Sequence, residues 1–366
     1  MPESSPASVN YRSGVIAKLR YMLQLAALVA QREGVGRLRQ LREIIWLYST
    51  RRLGPLLYYE QRLWRLELSM AQKQRFLNEA QYRRKIHALN PPLYQKLSQH
   101  KLVEKALFQT LGVPSAQFIA YMHPSEGSDG RLQPLTNVSE LTALCTILKH
   151  DELCFKLAEG WGGSHFVAAA LRCQSGVPQL RRLHSDEPWV SVAEFFENYL
   201  QPQFAQGLVI ERYLEQHPQL SAINASSVNT LRIWVLQRET QIKVVGALLR
   251  CGRRGQVVDN ASQGGILAKV DIESGRLGAA KSASIFPEYF SHHPDSGTKI
   301  EGMVLPYWRD CLKLAGDALR VFPNASFCGL DMAITEYGPV VVELNLEPDR
   351  ISARNFEAPL ADLLTW

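Results

Sequence analysis

The sequence predicts an α+β protein preceded by an all-helical N-terminal region, and three observations predict it. Apolar residues recur at helical spacing up to about residue 88. Short runs rich in Val, Ile, Leu and Phe dominate after residue 150, separated by Gly, Asp, Asn and Pro turns. The charge also divides: residues 1–100 hold 17 basic and 6 acidic side chains, whereas the rest holds 24 and 29 within a net charge of +6. The basic character therefore belongs to an attached module and not to the body.

Residues 1–10 are polar with Ser and Pro, an expected disordered start. Between 13 and 88, Leu38, Leu41, Ile44, Ile45 and Tyr48 follow the i, i+3, i+4, i+7 rhythm of one helix face. Leu53, Leu56, Leu57, Leu63, Trp64 and Leu66 suggest another, with Gly54-Pro55 as a break or helix start. Asn90-Pro91-Pro92 closes the region, and one helix is predicted over 93–111, stopped by Gly112-Val113-Pro114. Strands are predicted at 153–157, 166–171, 208–213, 230–236, 242–249, 266–270, 328–334 and 339–344. Helices fall at about 137–149, 191–201 and 305–320. The expected organisation is a basic helical region over 1–90, a linking segment over 91–150, a small α+β subdomain over 151–214 and a central subdomain over 215–366.

The six cysteines form no CxxC pair and sit in apolar stretches, which predicts buried, reduced thiols in a cytoplasmic protein and no zinc site. The apolar run Tyr21–Ala30 is too short to span a bilayer, so the protein is expected to be soluble or peripherally attached. No Ser-His-Asp or Cys-His arrangement is evident.

The sharpest pattern is Gly329-Leu330-Asp331-Met332-Ala333-Ile334, then Gly338-Pro339 and Val340-Val341-Val342-Glu343-Leu344-Asn345. Two apolar strands joined by a Tyr-Gly-Pro turn read as a hairpin. Glu343 and Asn345 are two residues apart and share a face, so with Asp331 they offer hard oxygen ligands suited to Mg²⁺. On an arbitrary hairpin such residues would be an ordinary wet face. Here the apolar flanks argue for burial, and buried acids need a partner or a metal.

Upstream, Phe155-Lys156-Leu157 ends a strand and runs into Glu159-Gly160-Trp161-Gly162-Gly163-Ser164. A lysine at a strand end reaches phosphate oxygens, and glycines let backbone N–H groups approach them. The lysine precedes the glycines and no GKS or GKT follows, so this is not a Walker loop. Arg232, opening the strand in Asn229-Thr230-Leu231-Arg232, could clamp a transferring phosphate or a substrate carboxylate. Asp259, Asn260 and Ser262, ahead of Gly264-Gly265, are expected near the metal or acceptor. The cluster Arg250, Arg253 and Arg254 is either a receiver for an acidic substrate or a solvated loop.

The pairing of GLDMAI with GPVVVELNLEPD resembles the metal-binding end of the ATP-grasp superfamily. The runs Ser227-Val228-Asn229-Thr230-Leu231-Arg232 and Asp259-Asn260-Ala261-Ser262-Gln263-Gly264-Gly265 resemble its sugar-transfer-associated branch, over about residues 95–350. The resemblance implies an ATP-grasp fold, two α+β subdomains clasping ATP, with ATP and Mg²⁺ as cofactors. It implies Asp331, Glu343 and Asn345 as Mg²⁺ ligands and Lys156 on the α/β-phosphates, beneath a flap formed by Gly160, Gly162 and Gly163. Glu211, Tyr213 and Leu214 match the hinge where adenine binds backbone, and Glu215 is a ribose candidate. Lys101 stands where the family carries the lysine of an Asp-Lys pair, here His100-Lys101. Arg232 and Lys156 are the expected catalytic groups.

The reaction implied is attack of a carboxylate on the γ-phosphate of ATP, then attack of an amine on the acyl-phosphate, in polysaccharide or glycoconjugate modification. A kinase acting on a hydroxyl and a non-catalytic scaffold subunit of a sugar-transfer system are the alternatives. Residues 37–85 interleave arginines with Leu, Trp and Tyr but carry no nucleic-acid-binding motif, and aromatic residues at helical spacing are usually core. Residues 1–90 are expected either to dock on the inner face of a membrane or on a glycosyltransferase partner, or to cap the body.

Overall fold

The computed structural model describes residues 14–160, 165–259 and 264–366. The expected disordered start, the loop glycines Gly162 and Gly163, and Asn260 and Ser262 lie outside the described residues. The chain forms two compact units, one of residues up to 88 with 283–288 and 349–366, the other of Leu89–Ser282 and Tyr289–Pro348.

The first unit is helical, as its 3.6-residue rhythm predicts: α1 (Val15–Arg32), α2 (Arg37–Arg51), α3 (Pro55–Glu60), α4 (Met70–Lys73) and α5 (Glu79–Leu89). Gly54 caps α3 and Pro55 opens it, where a missing N–H costs nothing. Its core gathers Leu25, Val29, Leu47, Tyr58, Trp64 and Phe286, among others. Leu38, Leu41, Ile45 and Tyr48 do share a face of α2, but that face is exposed, with only Ile44 half-buried. The inward face carries Gln40, Glu43 and Leu47. Glu43 accepts from Tyr58 Oη at 2.8 Å and pairs with the buried Lys73 at 2.7 Å, while Gln40 donates to the Val35 carbonyl at 2.7 Å. A satisfied polar network thus occupies the interior position that periodicity would give to the leucines.

The second unit holds two seven-stranded antiparallel sheets among the described residues. The first contains β1 (Phe118–Met122), β2 (Ser128–Asp129), β3 (Asp151–Leu157), β4 (Val167–Gln174), β5 (Val177–Arg182), β6 (Val190–Ser191) and β7 (Leu208–Arg212), in the order β2-β1-β7-β3-β4-β5-β6. The second contains β8 (Thr230–Arg238), β9 (Gln241–Cys251), β10 (Ile266–Val270), β11 (Leu277–Ser282), β12 (Tyr289–Phe290), β13 (Phe327–Thr335) and β14 (Gly338–Asn345), in the order β12-β11-β10-β9-β8-β13-β14. The α+β class and the β13–β14 hairpin agree with the sequence. The single helix expected over 93–111 is two, α6 (Pro92–Gln99) and α7 (Lys101–Thr110), because His100 adopts an extended backbone (φ −109°, ψ 108°).

Alternation decides what each sheet buries. On the second sheet Leu231, Ile233 and Val235 of β8, Leu330 and Met332 of β13, and Leu344 of β14 enter one core. Over them lies α9 (Trp308–Arg320), whose Cys311, Leu314, Ala315, Ala318 and Leu319 form its apolar stripe. The opposite face is left for Thr230, Arg232, Arg250, Asp331, Glu343 and Asn345. On the first sheet Leu153, Phe155, Leu208 and Ile210 face a core closed by α8 (Val138–Leu148), leaving Lys156 and Glu211 on the other side.

Candidate active site

Four strands of the second sheet bring the charged face together. Asp331 is in register with Arg232 on β8 and with Glu343 on β14, and Thr230 is in register with Arg250 on β9. The Asp331 carboxylate lies 2.7 Å from Arg232 Nε and 3.0 Å from an Arg250 amino nitrogen. Arg250 also donates to Thr230 Oγ1 at 2.7 Å and lies 3.5 Å from Asp259, which accepts from the Thr230 N–H at 2.9 Å. Burial opposes the Arg250 charge, but Asp259 and Asp331 hold its pKa above the ordinary value. Gly329 lets this face close: a Cβ there would stand 2.7 Å from Pro348 Cβ and 3.1 Å from Trp234 Nε1.

A bulge between Asp331 and Met332 interrupts the β13–β14 ladder, so Glu343 and Asn345 both stay on the charged face while Val341 enters the core. Asn345 Nδ2 reaches Glu343 Oε1 at 3.4 Å. Among the described residues no three His, Cys, Asp or Glu side chains gather as a metal-binding group. The set is two carboxylates and a carboxamide. Its oxygen donors are of the kind Mg²⁺ takes, few from protein and the rest from phosphate and water, although Asp331 is here paired with Arg232 and Arg250.

The second cluster is built on the first sheet. Glu211, fully buried on β7, pairs with Lys156 on β3 at 2.5 Å and with Lys105 on α7 at 2.9 Å. Burial pushes the Glu211 pKa up, yet the two ammonium groups outweigh it and hold the carboxylate below its usual range. Burial likewise opposes the Lys156 charge, and Glu211 reverses it, holding the ammonium above its ordinary value.

Helix α7 joins the clusters. Lys101 Nζ donates to the Gly160 carbonyl at 3.1 Å and lies 3.6 Å from Glu343 Oε1. Lys105 Nζ pairs with Glu211 and donates to the Val342 carbonyl at 3.4 Å. Between them on the helix, Glu104 is fully buried and accepts from the Leu344 N–H, and burial raises its carboxyl to about 8.

Of the residues predicted from sequence, Lys101, Lys156, Gly160, Glu211, Arg232, Asp331, Glu343 and Asn345 therefore meet in two linked clusters. Tyr213, Leu214 and Glu215 follow β7: Tyr213 is half-buried with its N–H donating to the Glu152 carbonyl at 2.7 Å, and Glu215 is exposed. Sequence reasoning missed Lys105, although Lys101 and Lys105 are four apart and share one helix face. It also left Arg250 grouped with Arg253, which pairs with Asp295 instead, and Arg254, whose backbone N–H donates to the same carboxylate.

Comparison with known proteins bears on this arrangement. The sequence profile of the family described as sugar-transfer associated ATP-grasp matches residues 79–354, three quarters of the chain.

The chain belongs to the sugar-transfer-associated ATP-grasp family.

Solved structures similar to this ATP-grasp chain include D-alanine–D-alanine ligase from Bacillus anthracis, at 14% identity and a TM-score of 0.37 over 72% of this chain and 62% of that one. L-Amino acid ligase from Bacillus licheniformis is 11% identical, with a TM-score of 0.40 over 74% and 48%. N5-carboxyaminoimidazole synthase from Aspergillus clavatus, in complex with ADP and 5-aminoimidazole ribonucleotide, is 11% identical, with a TM-score of 0.41 over 79% and 58%. This chain spans about half the length of the solved chains it matches. No curated protein matches the sequence.

Proposed function

We propose that this chain is a Mg·ATP-dependent ligase that activates a carboxylate as an acyl-phosphate and couples it to an amine. The observation that carries the reading is the double engagement of α7. Lys101 touches both the start of the glycine loop and Glu343, and Lys105 touches both Glu211 and the β14 backbone. Two ammonium groups spanning a lysine–glycine strand end and a carboxylate pair suit a polyphosphate lying between them.

In this reading Lys101, Lys105 and Lys156 neutralise phosphate oxygens beside Gly160. Tyr213 and Leu214 line the adenine end, with Glu215 near the ribose. Asp331, Glu343 and Asn345 would hold Mg²⁺, whose chemistry there is neutralisation of charge at the phosphate oxygens. Arg232, with Arg250 beside it, orients the γ-phosphoryl group or the attacking carboxylate. A carboxylate oxygen forms a bond to the γ-phosphorus as the bond to ADP breaks. An amine nitrogen then attacks the acyl carbon, and phosphate leaves. No protein nucleophile is needed; the residues position and neutralise, which is where phosphoryl transfer gains its rate.

The family's association with sugar transfer supports a carboxylate or amine carried on a sugar, in polysaccharide or glycoconjugate biosynthesis. A cytoplasmic setting suits the supply of ATP and cysteines that are all free. Hydroxylamine tests the reaction, because it captures an acyl-phosphate as a hydroxamate. Incubated with ATP, MgCl₂, hydroxylamine and a panel of amino acids and uronic-acid glycans, the protein is expected to form hydroxamate and ADP in equal amounts. ADP formed with phosphate on a hydroxyl and without hydroxamate would replace the ligase with a kinase.

A further inference from the structure

Helix α2 is amphipathic the wrong way round for a helix whose partners are all within the protein. Its inward face carries Gln40 and Glu43 beside Leu47, and its solvent face carries Leu38 (79% exposed), Leu41, Ile45 (59% exposed), Trp46 and Tyr48. The apolar positions 38, 41, 45 and 48 form a continuous stripe over three turns. In the same unit α1 repeats the feature, with Ile16, Leu19 and Leu23 exposed at i, i+3 and i+7. Exposed leucines scattered singly need no explanation; a stripe on each of two helices does.

The charges beside these stripes have one sign. From residue 14 to residue 52 there are eight Lys and Arg side chains and two acids, and one of the acids, Glu43, is the buried partner of Lys73. On α2 and its cap the exposed charges are Arg37, Arg42, Arg51, Arg52 and Arg39, the last of which also pairs with Glu43 at 2.9 Å. No helix among the described residues is long and apolar enough to cross a membrane. We infer that the exposed faces of α1 and α2 dock in the plane of an anionic lipid surface, with the apolar stripe among the acyl chains, arginines at the headgroups, and Trp46 and Tyr48 at the boundary. A protein groove would bury the leucines equally well, but it does not account for arginines that flank the stripe almost unaccompanied by exposed acids. An anionic headgroup layer does. The inference is independent of the ligase reading, since none of these residues belongs to the clusters around Glu211 and Asp331.

Sedimentation of the full chain with vesicles tests it. The protein is expected to pellet with vesicles of phosphatidylcholine mixed with phosphatidylglycerol and to stay in solution with phosphatidylcholine alone. Binding is expected to weaken as salt screens the headgroups. Leu41→Glu with Ile45→Glu is expected to abolish pelleting. Arg37→Gln with Arg42→Gln is expected to weaken it about 25-fold, at about five-fold per basic residue. All four side chains are exposed, so both variants are expected to melt at the wild-type temperature. Wild type that ignores the mixed vesicles, or variants that pellet as wild type does, would overturn the inference. Self-association that Leu41→Glu with Ile45→Glu abolishes, without vesicle binding, would also overturn it and assign the face to a second copy of the chain.

Discussion

The Lys105 ammonium stands 2.9 Å from Glu211, and that contact ties helix α7 to strand β7 across the candidate nucleotide site. Glu211 has no exposed surface, so its charge depends wholly on Lys105 and Lys156. Lys105→Met leaves a buried carboxylate with one partner. It is expected to cost about 3–5 kcal/mol of stability, read from urea unfolding. Lys105→Arg keeps the charge and is expected to recover most of that loss.

Glu343 and Asp331 are expected to respond differently although both are assigned to Mg²⁺. Glu343→Gln should abolish turnover and leave the unfolding transition within about 1 kcal/mol of wild type, since its nearest cation is 3.6 Å away. Asp331→Ala should also abolish turnover, but it strands the guanidinium of Arg232 and leaves Arg250 with Asp259 alone. A loss of about 3–5 kcal/mol in stability is expected. Equal stability in the two variants would contradict the pairing of Asp331 with both arginines.

Glu104 gives a pH dependence whose sign is fixed. Burial lifts its carboxyl from 4.5 to about 8, so the folded state holds a proton that the unfolded state releases. Its contribution to stability is complete below about 4.5 and is lost as pH rises through about 8. Urea midpoints measured in EDTA should fall across that window for wild type and stay flatter for Glu104→Gln. The glutamine oxygen still accepts from the Leu344 N–H.

Much of this site is legible in the sequence because its geometry is local. Asp331, Glu343 and Asn345 sit on two strands of one hairpin, where a period of two fixes their face. The bulge that admits Val341 to the core was not readable. Lys105 and Arg250 were harder, since each meets its partner across a distance in sequence that no motif spans. Strand β11, Leu-Gly-Ala-Ala-Lys-Ser, lacks β-branched side chains, and β5 carries Pro178; pairing with neighbours in the sheet makes them strands. The α2 stripe differs. Its periodicity gives the shared face but not the direction that face points, because the interior there is filled by Glu43, Lys73 and Gln40.

Asn90 is the other long-range tie. Its amide donates to the Phe327 and Leu346 carbonyls at 2.7 and 2.6 Å and accepts from the Ser326 and Phe327 N–H groups at 2.9 and 3.1 Å. All its hydrogen-bonding capacity is used in holding the ends of β13 and β14. Asn90→Ala leaves several buried backbone groups unpaired and is expected to cost about 2–4 kcal/mol, read as a lower urea midpoint at unchanged m.

Isothermal calorimetry of ATP with MgCl₂, repeated in EDTA, on wild type and Lys156→Ala tests the central claim most directly. The account predicts saturable, Mg²⁺-dependent binding that Lys156→Ala weakens about 10–100-fold, the worth of a charge-assisted phosphate contact. Absence of binding by wild type, or equal binding by both proteins with and without Mg²⁺, would contradict it.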